Sequence, residues 1–251
     1  MQVGLIGAGN MASALARGWG DPVLCCDAGS GRARALAQEL GGEACASPGE
    51  VAERCELVVL AHKPAQLAQI AAEIGSAVTV VASVLGGVSI EALKHAYPGA
   101  SVLRLMPNTP VEVRRGVTCL SPAPEVEDAL VGQVVALFSR LGHVQPIPEA
   151  LMDAATAVMG VGPAYGALVA EAQVDAAIRH GLKPALAAQL VGETMSGTAA
   201  LLEARGYDTL GVRREVASPG GSTARGLAAL ERGGVRSAFQ DAIDAVLGAG
   251  R

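Results

Sequence analysis

The chain has 251 residues, a formal net charge of −5 and only one Trp, three Tyr and two Phe. This length allows one large domain or two domains of ordinary size. Negative charge and few aromatic side chains argue against nucleic-acid binding, which needs positive charge and stacking platforms. No apolar run is long enough to cross a bilayer, and a strand pattern from residue 2 leaves no room for a signal peptide. Five cysteines without metal-ligand spacing are interpreted as reduced packing residues of a cytoplasmic protein.

The first half of the sequence alternates short apolar runs with helical segments. The apolar runs predict strands at 3–7, 22–27, 57–61, 78–83 and 101–106. These runs do not alternate with polar residues, so both faces of each strand are expected to be covered, as in a parallel sheet. Two further strands are predicted around a helix at 125–141. Residues 1–149 are therefore expected to form a doubly wound α/β domain of the Rossmann type, which binds NAD(P).

The second half of the sequence has a different character. Strand signals end after Pro148, and residues 150–251 predict an all-helical domain. The segment 161–205 is apolar on more than one face, and a domain of about 100 residues has too little interior to bury it. A second copy of the chain is the simplest cover. The sequence therefore predicts a homo-oligomer, a dimer or an assembly of dimers, with this domain in dimerisation and substrate binding.

A glycine loop follows the first predicted strand and opens the first helix. In the pattern Gly7-x-Gly9-x-x-Ala12, Gly7 permits a tight turn and Gly9 lets backbone amides approach a pyrophosphate. Ala12 lets the helix pack close to the strand. At this position in a βαβ unit the pattern predicts a dinucleotide site, and the alternative is a purely structural turn.

The residues after the second predicted strand bear on the choice of dinucleotide. Asp27 ends that strand, where an acidic side chain ordinarily binds a ribose 2′-hydroxyl and favours NADH. Ser30, Arg32 and Arg34 follow, and they suit the 2′-phosphate of NADPH. Asp27 is alternatively a cap for the helix that starts near Arg32. The two signals conflict, with a weak preference for NADPH.

Two more loops lie at predicted carboxyl ends of strands, the edge where open α/β sheets bind ligands. Lys63-Pro64 follows the strand at 57–61, and Lys63 is one of only three lysines. His62 has no carboxylate or nucleophile beside it in the sequence, so an acid–base role is disfavoured. In "MPNTP" two prolines stiffen a loop around Asn108, whose amide is a candidate to bind the carboxamide of a nicotinamide ring.

The stretch "SPGGST" at 218–223 interrupts a helical region with a Pro-Gly-Gly turn. Consecutive glycines before a helix leave several amides unpaired, and the helix dipole adds positive potential, which makes an anion site. Ser222 and Thr223 are either helix caps or ligand donors. Because the dinucleotide has its own loop, the anion expected here is a substrate carboxylate.

Taken in order, "IGAGNMASAL", "HKP", "SVLRLMPNTP", "GVGPAY" and "VASPGGSTARGLAALE" resemble the pyrroline-5-carboxylate reductase family, whose members catalyse the last step of proline biosynthesis. The resemblance implies a Rossmann domain, a helical domain interlocked with a partner chain, an active site where the domains meet, and NADPH as the usual cofactor. Matching motifs imply cofactor contacts at Gly7, Ala8, Gly9, Asn10, Met11, Ala12, His62, Lys63, Pro64, Met106 and Asn108. They also imply that Gly220, Gly221, Ser222 and Thr223 bind the substrate carboxylate, with Thr223 as the substrate-contacting hydroxyl.

The resemblance implies reduction of L-1-pyrroline-5-carboxylate to L-proline by a hydride from NAD(P)H. A protonated cyclic imine is already electrophilic, so alignment is the chief requirement. The proton comes from solvent before binding or through water at Thr223. Met159 and Val161 replace two family serines, and Ser47 stands where an Asn near the adenine is frequent. Two alternatives remain: a reductase for another cyclic imino acid, and a non-catalytic dinucleotide sensor, which would not need "SPGGST".

Overall fold

A computed structural model gives the fold of residues 1–248. The chain divides into two compact units on either side of the bond between Pro163 and Ala164. Among residues 1–248, all the strands lie in the first unit, and the second unit is helical. The predicted domain boundary at residue 149 stays a prediction.

The first unit is built on one sheet of eight strands. The strands are β1 Val3–Ile6, β2 Leu24–Cys26, β3 Glu43–Ala44, β4 Leu57–Leu60, β5 Val80–Ser83, β6 Ser101–Pro107, β7 Gly116–Pro122 and β8 Gly142–Pro146. Their order in the sheet is β3-β2-β1-β4-β5-β6-β7-β8, and every neighbouring pair is parallel except β6 and β7. The chain reverses its direction of winding between β1 and β4, where open α/β sheets form ligand clefts. This confirms the predicted Rossmann-type fold.

Helices cover both faces of this sheet, as its continuous apolar strands require. The α-helices of the first unit are α1 Asn10–Trp19, α2 Arg32–Leu40, α3 Pro48–Arg54, α4 Leu67–Ile74, α5 Ile90–Ala96, α6 Asp128–Ser139 and α7 Met152–Ala155. Gly20 and Gly41 end α1 and α2 in the left-handed conformation, with φ of 70° and 69°. Ser47 and Ser89 begin α3 and α5 as side-chain N-caps. A π-helix, Thr156–Gly160, continues directly from α7.

The core lies against the middle of the sheet. All four residues of β4 are buried, with no side chain more than 1% exposed. At the end of α1, Trp19 packs edge-on against Phe138 of α6 with ring centroids 5.4 Å apart. The Trp19 indole donates a hydrogen bond of 3.1 Å to the Leu137 carbonyl. These contacts fix α1, and with it the glycine loop that precedes α1.

The helical part comprises α8 Gly162–Arg179, α9 Pro184–Ala204, α10 Thr209–Val216, α11 Ser222–Arg232 and α12 Val235–Leu247. Within residues 164–248 only Ala187 and Val212 are buried. Leu168 and Leu190, large apolar residues of α8 and α9, are 63% and 50% exposed. These two long helices therefore present apolar surface that a single chain leaves uncovered. Over residues 1–248, no helix is both long enough and apolar enough to span a membrane.

Candidate active site

The glycine loop has the geometry of a pyrophosphate cradle. Gly7 lies between β1 and α1 with φ of +109°, and its amide donates to the Cys26 carbonyl at 3.0 Å. A side chain at Gly7 would meet the Ala61 carbonyl oxygen at 2.5 Å, so only glycine fits there. Gly9, the N-cap of α1, has no neighbour within 4 Å of a built Cβ. Gly9 therefore leaves open space in front of the free amides of the α1 N-terminus, which suits an anion.

An open cleft of about 550 Å³ runs from this loop along the carboxyl ends of β2 and β4. Eight residues predicted for the cofactor line the cleft: Gly7, Ala8, Gly9, Asp27, Ser30, Arg32, His62 and Lys63. The other lining residues were not predicted: Ile6, Cys26, Ala28, Pro48, Ala61, Gln66, Gln69, Ile70 and Glu73. Those residues end a strand or closely follow one, begin α3, or lie on α4 and just before it. Their position near the carboxyl ends of the predicted strands was the sequence signal that could have identified them as cleft residues.

Several residues predicted for the cofactor lie outside the lining of this cleft: Asn10, Met11, Ala12, Ser47, Pro64, Met106 and Asn108. Ala12 is fully buried beneath the glycine loop. Ser47 accepts a hydrogen bond from the Glu50 amide at 3.2 Å and caps α3, while its neighbour Pro48 faces the cleft. Cofactor contacts at these positions stay predictions.

Asp27 is held by its own loop at the end of β2. Its carboxylate accepts hydrogen bonds from the amides of Gly29 and Ala33, at 3.0 and 3.1 Å, and from the Ser30 hydroxyl. These bonds, chiefly the one from Ser30, lower the pKa of Asp27 below its ordinary value. The bond from Ala33 serves the first turn of α2, which has no side-chain cap at Gly31. Asp27 thus acts as the helix cap, and its oxygens are already engaged.

Arg32 and Arg34 carry the positive charge nearest to this loop in sequence. Neither makes an ion pair with a carboxylate of residues 1–248. Arg32 lines the cleft beside Ser30, whereas Arg34 does not line it. An uncompensated guanidinium beside a hydroxyl in an open cleft is suited to a phosphate.

His62 and Lys63 follow β4 on the opposite side of the cleft. Nδ1 of His62 lies 2.9 Å from the Lys63 carbonyl oxygen, which can only accept, so the ring proton is on Nδ1. Nε2 of His62 is buried without a protein partner. Burial lowers the pKa of His62, which favours the neutral ring. The Lys63 side chain is exposed at the cleft.

The Asn108 side chain is engaged in the structure. Its Oδ1 accepts from the Val117 amide at 2.8 Å, and its Nδ2 donates to the Met159 carbonyl at 3.0 Å. Met106, two residues earlier on β6, is half-buried. The predicted contact of Asn108 with a nicotinamide carboxamide stays a prediction.

The turn at 218–223 breaks the helical unit as its glycines predict. Gly220 has φ of +70°, and Gly221 is the N-cap of α11. The alternative that Ser222 or Thr223 caps the helix is wrong, because they are its first two residues and make no side-chain capping bond. Their amides belong to the first turn of the helix, where no intrahelical acceptor exists. The turn therefore presents free donors.

A residue that the sequence reasoning missed adds charge to this turn. Arg225, on the first turn of α11, donates from Nη1 to the Gly220 carbonyl at 2.9 Å. This bond brings a guanidinium to the amide-lined turn. The signal was the Arg of "STARG", which lies within one helical turn of the glycines. The Thr223 side chain is half-buried and that of Ser222 is exposed.

Comparison with known proteins matches both parts of the chain. Residues 149–250 match the family model described as pyrroline-5-carboxylate reductase dimerisation, and residues 2–87 match the model described as NADP oxidoreductase, coenzyme F420-dependent. Pyrroline-5-carboxylate reductase of Synechocystis sp. is 39% identical over 198 residues, covering 78% of this chain and 74% of its own. Pyrroline-5-carboxylate reductase 3 of Macaca fascicularis is 34% identical over 254 residues, covering 97% and 93%.

Solved structures agree over almost the whole chain. The pyrroline carboxylate reductase of Plasmodium falciparum with NADP bound gives a TM-score of 0.88 at 27% identity, covering 98% of this chain and 95% of its own. The enzyme of Streptococcus pyogenes gives 0.88 at 27% identity, covering 99% and 97%. The fold and the glycine-loop cleft define a Rossmann-type dinucleotide oxidoreductase with a helical dimerisation domain. Within that class, the chain belongs to the pyrroline-5-carboxylate reductase family.

Proposed function

We propose that this chain reduces L-1-pyrroline-5-carboxylate to L-proline with NADPH, the last step of proline biosynthesis, in the cytoplasm. The observation that carries the proposal is a second anion site, the turn at 218–223, in a chain that already has a dinucleotide cleft. Family membership supports the same activity. The five cysteines are free thiols, the usual state in a reducing compartment.

The reaction adds one hydride and one proton to a C=N bond, which is two electrons and two protons in total. When bound, NADPH supplies a hydride to the imine carbon and leaves as NADP⁺. The imine nitrogen gains one proton, and two routes supply it: protonation by solvent before binding, or transfer through water at Thr223. Only the second route depends on Thr223. The task of the chain is to hold the imine in line, and positioning of this kind is worth roughly 7–11 kcal/mol.

The residues of the cleft fit the pyrophosphate and the 2′-phosphate of NADPH. The amides at the start of α1 face the open space that Gly9 leaves, which is where a pyrophosphate would lie. Arg32 would hold the 2′-phosphate, and Ser30 would join it by turning its single hydroxyl hydrogen from Asp27 to a phosphate oxygen. The oxygens of Asp27 are engaged by its own loop, so a ribose 2′-hydroxyl would have to displace existing hydrogen bonds. Because Ser30 is engaged in the same loop, the preference for NADPH over NADH rests on the positive charge of Arg32 in the cleft, unpaired among residues 1–248.

The turn at 218–223 would hold the substrate carboxylate. The free amides of Ser222 and Thr223 point out of the α11 N-terminus, where the helix dipole favours negative charge. Arg225 adds a positive charge. The Thr223 hydroxyl would donate to the same carboxylate. A carboxylate in this position is fixed by several donors of known direction, which orients the attached ring.

Self-association belongs to the same proposal. The helical unit exposes Leu168 on α8 and Leu190 on α9, and nearly all its other residues are accessible too. An isologous contact between two copies would cover these faces. We propose a dimer, or an assembly of dimers, formed through α8 and α9.

The choice of imino acid is tested with a substrate panel. Met159 and Val161 replace two family serines and are half-buried at the π-helix, so a six-membered cyclic imino acid is the competing substrate. We expect the highest kcat/KM for NADPH oxidation with pyrroline-5-carboxylate. Preference for the six-membered ring would favour the competing activity. NADPH binding without oxidation by any cyclic imine would favour the dinucleotide sensor.

A further inference from the structure

Asn108 joins two motifs that are distant in sequence. It follows β6, is 7% exposed, and forms a bridge to the π-helix Thr156–Gly160. Its Nδ2 donates to the Met159 carbonyl at 3.0 Å and its Oδ1 accepts from the Val117 amide at 2.8 Å. Only one orientation of the amide satisfies a carbonyl on one side and an N–H on the other. The hydrogen-bond partners therefore fix both ends of this side chain.

The Met159 carbonyl needs such a donor because of Pro163. In a regular α-helix the carbonyl of residue 159 accepts from the amide of residue 163, four residues later. Pro163 has no amide hydrogen, so this bond cannot form. Met159 is a half-buried residue, and a backbone carbonyl that loses its donor away from water costs free energy. The Asn108 amide supplies the hydrogen that Pro163 lacks.

The local helix geometry agrees with this explanation. The Val161 amide donates to the Thr156 carbonyl at 3.3 Å, five residues back, which is the π-helical spacing. The Thr156 hydroxyl donates to the Met152 carbonyl at 2.7 Å. The chain thus leaves α-helical pairing just before Pro163, where Asn108 contacts it. Such π-helical turns occur frequently at functional sites.

Asn108 also places this turn at the ligand edge of the sheet. β6 is parallel to β5 and so ends at the same edge as β1, β4 and β5. The backbone amide of Asn108 donates to the Val117 carbonyl at 3.1 Å, so its main chain is fixed as well. The bridge therefore runs from a rigid strand end to the π-helical turn.

We propose that Asn108 is a positioning residue: its side-chain amide replaces the missing N–H of Pro163 and fastens the π-helical turn to the carboxyl edge of the sheet. It acts on catalysis through that turn and not by binding the nicotinamide carboxamide. The consequence for turnover rests on the proposed reductase function. The consequence for stability does not.

The test is a double-mutant cycle of Asn108→Ala and Pro163→Ala. Pro163→Ala restores a backbone N–H four residues after Met159, so the carbonyl gains a donor within the helix. We expect Asn108→Ala to lower kcat/KM for the imino acid about tenfold in the otherwise unchanged chain, and by less than threefold when Pro163→Ala is present. The lost bond to Val117 is common to both backgrounds and cancels in the cycle.

Thermal unfolding of the same four proteins, at one protein concentration, gives a readout without turnover. Asn108→Ala should lower Tm by roughly 4 °C alone and by about half as much in the Pro163→Ala background. Equal penalties in both backgrounds, in Tm and in kcat/KM, would overturn the proposal. If Asn108→Ala alone gives no folded protein, recovery of folded protein in the double variant supports the proposal and failure to recover it contradicts the proposal.

Direct NADPH titration separates this role from a cofactor contact. A positioning residue leaves the Kd for NADPH of Asn108→Ala within about twofold of the unchanged chain, because the cleft is lined by other elements. A tenfold weaker Kd that Pro163→Ala does not relieve would show that Asn108 binds the cofactor instead. If none of the four proteins turns over the imino acid, but Asn108→Ala lowers Tm less in the Pro163→Ala background, the result would contradict the reductase function and leave the positioning role of Asn108 intact.

Discussion

Thr223 provides the sharpest perturbation of the proposed carboxylate site. Thr223→Ala removes one hydroxyl donor and leaves the amides of the turn in place. A hydrogen bond to a charged group is worth about 1.5–3 kcal/mol, so kcat/KM for the imino acid should fall roughly 10- to 150-fold. The Kd for NADPH should not change, because its cleft contains no residue of this turn.

The structure also fixes the expected stability of this variant. Gly221, not Thr223, is the N-cap of α11, and the Thr223 hydroxyl makes no capping bond. Tm should therefore stay unchanged or rise slightly, since Ala has the higher helix propensity. Thr223→Ser is the matched control, because it keeps the hydroxyl and should retain most of the activity.

Steady-state kinetics and thermal unfolding on the same preparations decide the matter. Unchanged kcat/KM in Thr223→Ala would refute the assignment of Thr223 as a substrate donor. A loss of activity that Thr223→Ser shares equally would point to the shape of the turn and not to the hydroxyl.

Three further predictions concern the cofactor loop and the assembly. The combined Ser30→Ala and Arg32→Ala variant should lose at least tenfold in kcat/KM for NADPH and change less than threefold with NADH; equal losses would remove these residues from the 2′-phosphate site. Asp27→Ala should lower the free energy of unfolding at neutral pH by the cost of a helix cap, about 1 kcal/mol, which is measured as a lower Tm. Because the pKa of Asp27 is lowered in the folded state, this loss of stability is present above the ordinary pKa of 3.8 and becomes smaller as pH falls through the folded-state pKa. A loss of stability that does not depend on pH would contradict the hydrogen bonds to the ionised Asp27 carboxylate. Light scattering at micromolar concentration should give at least about twice 25.2 kDa, with Leu190→Glu shifting the mass to that of one chain and Gln189→Glu leaving it unchanged. A fully active single chain would contradict the assembly.

The strands and the glycine loop were predictable because their signals are local. Apolar runs without alternation identify buried parallel strands, and α1 starts at Asn10 directly after the loop, as the pattern indicates. Two elements were missed. β3 has only two residues, too few for a pattern. α3 follows the Ser47-x-x-Glu50 capping signal, which was available in the sequence.

Pairing direction and side-chain partners were harder to predict. β7 pairs antiparallel with β6, and the signal was the short connection between Pro107 and Gly116, since a parallel crossover needs a dozen or more residues. The engagement of Asp27 by its own loop depends on the fold of that loop. The bridge from Asn108 to Met159 joins residues 51 apart in sequence, and such a contact has no local signal.

The central claim is that the chain transfers a hydride from NADPH to the imine carbon of pyrroline-5-carboxylate, and isotope transfer tests it most directly. NADPH carrying deuterium at C4 on the transferred face is incubated with the imino acid and the enzyme, and the product is analysed by NMR and chiral chromatography. The account predicts L-proline with one deuterium at the δ carbon, the former imine carbon. The account would be contradicted if proline stayed unlabelled with NADPH deuterated on one face of C4 and also with NADPH deuterated on the other face. Oxidation of NADPH without formation of proline would contradict it as well.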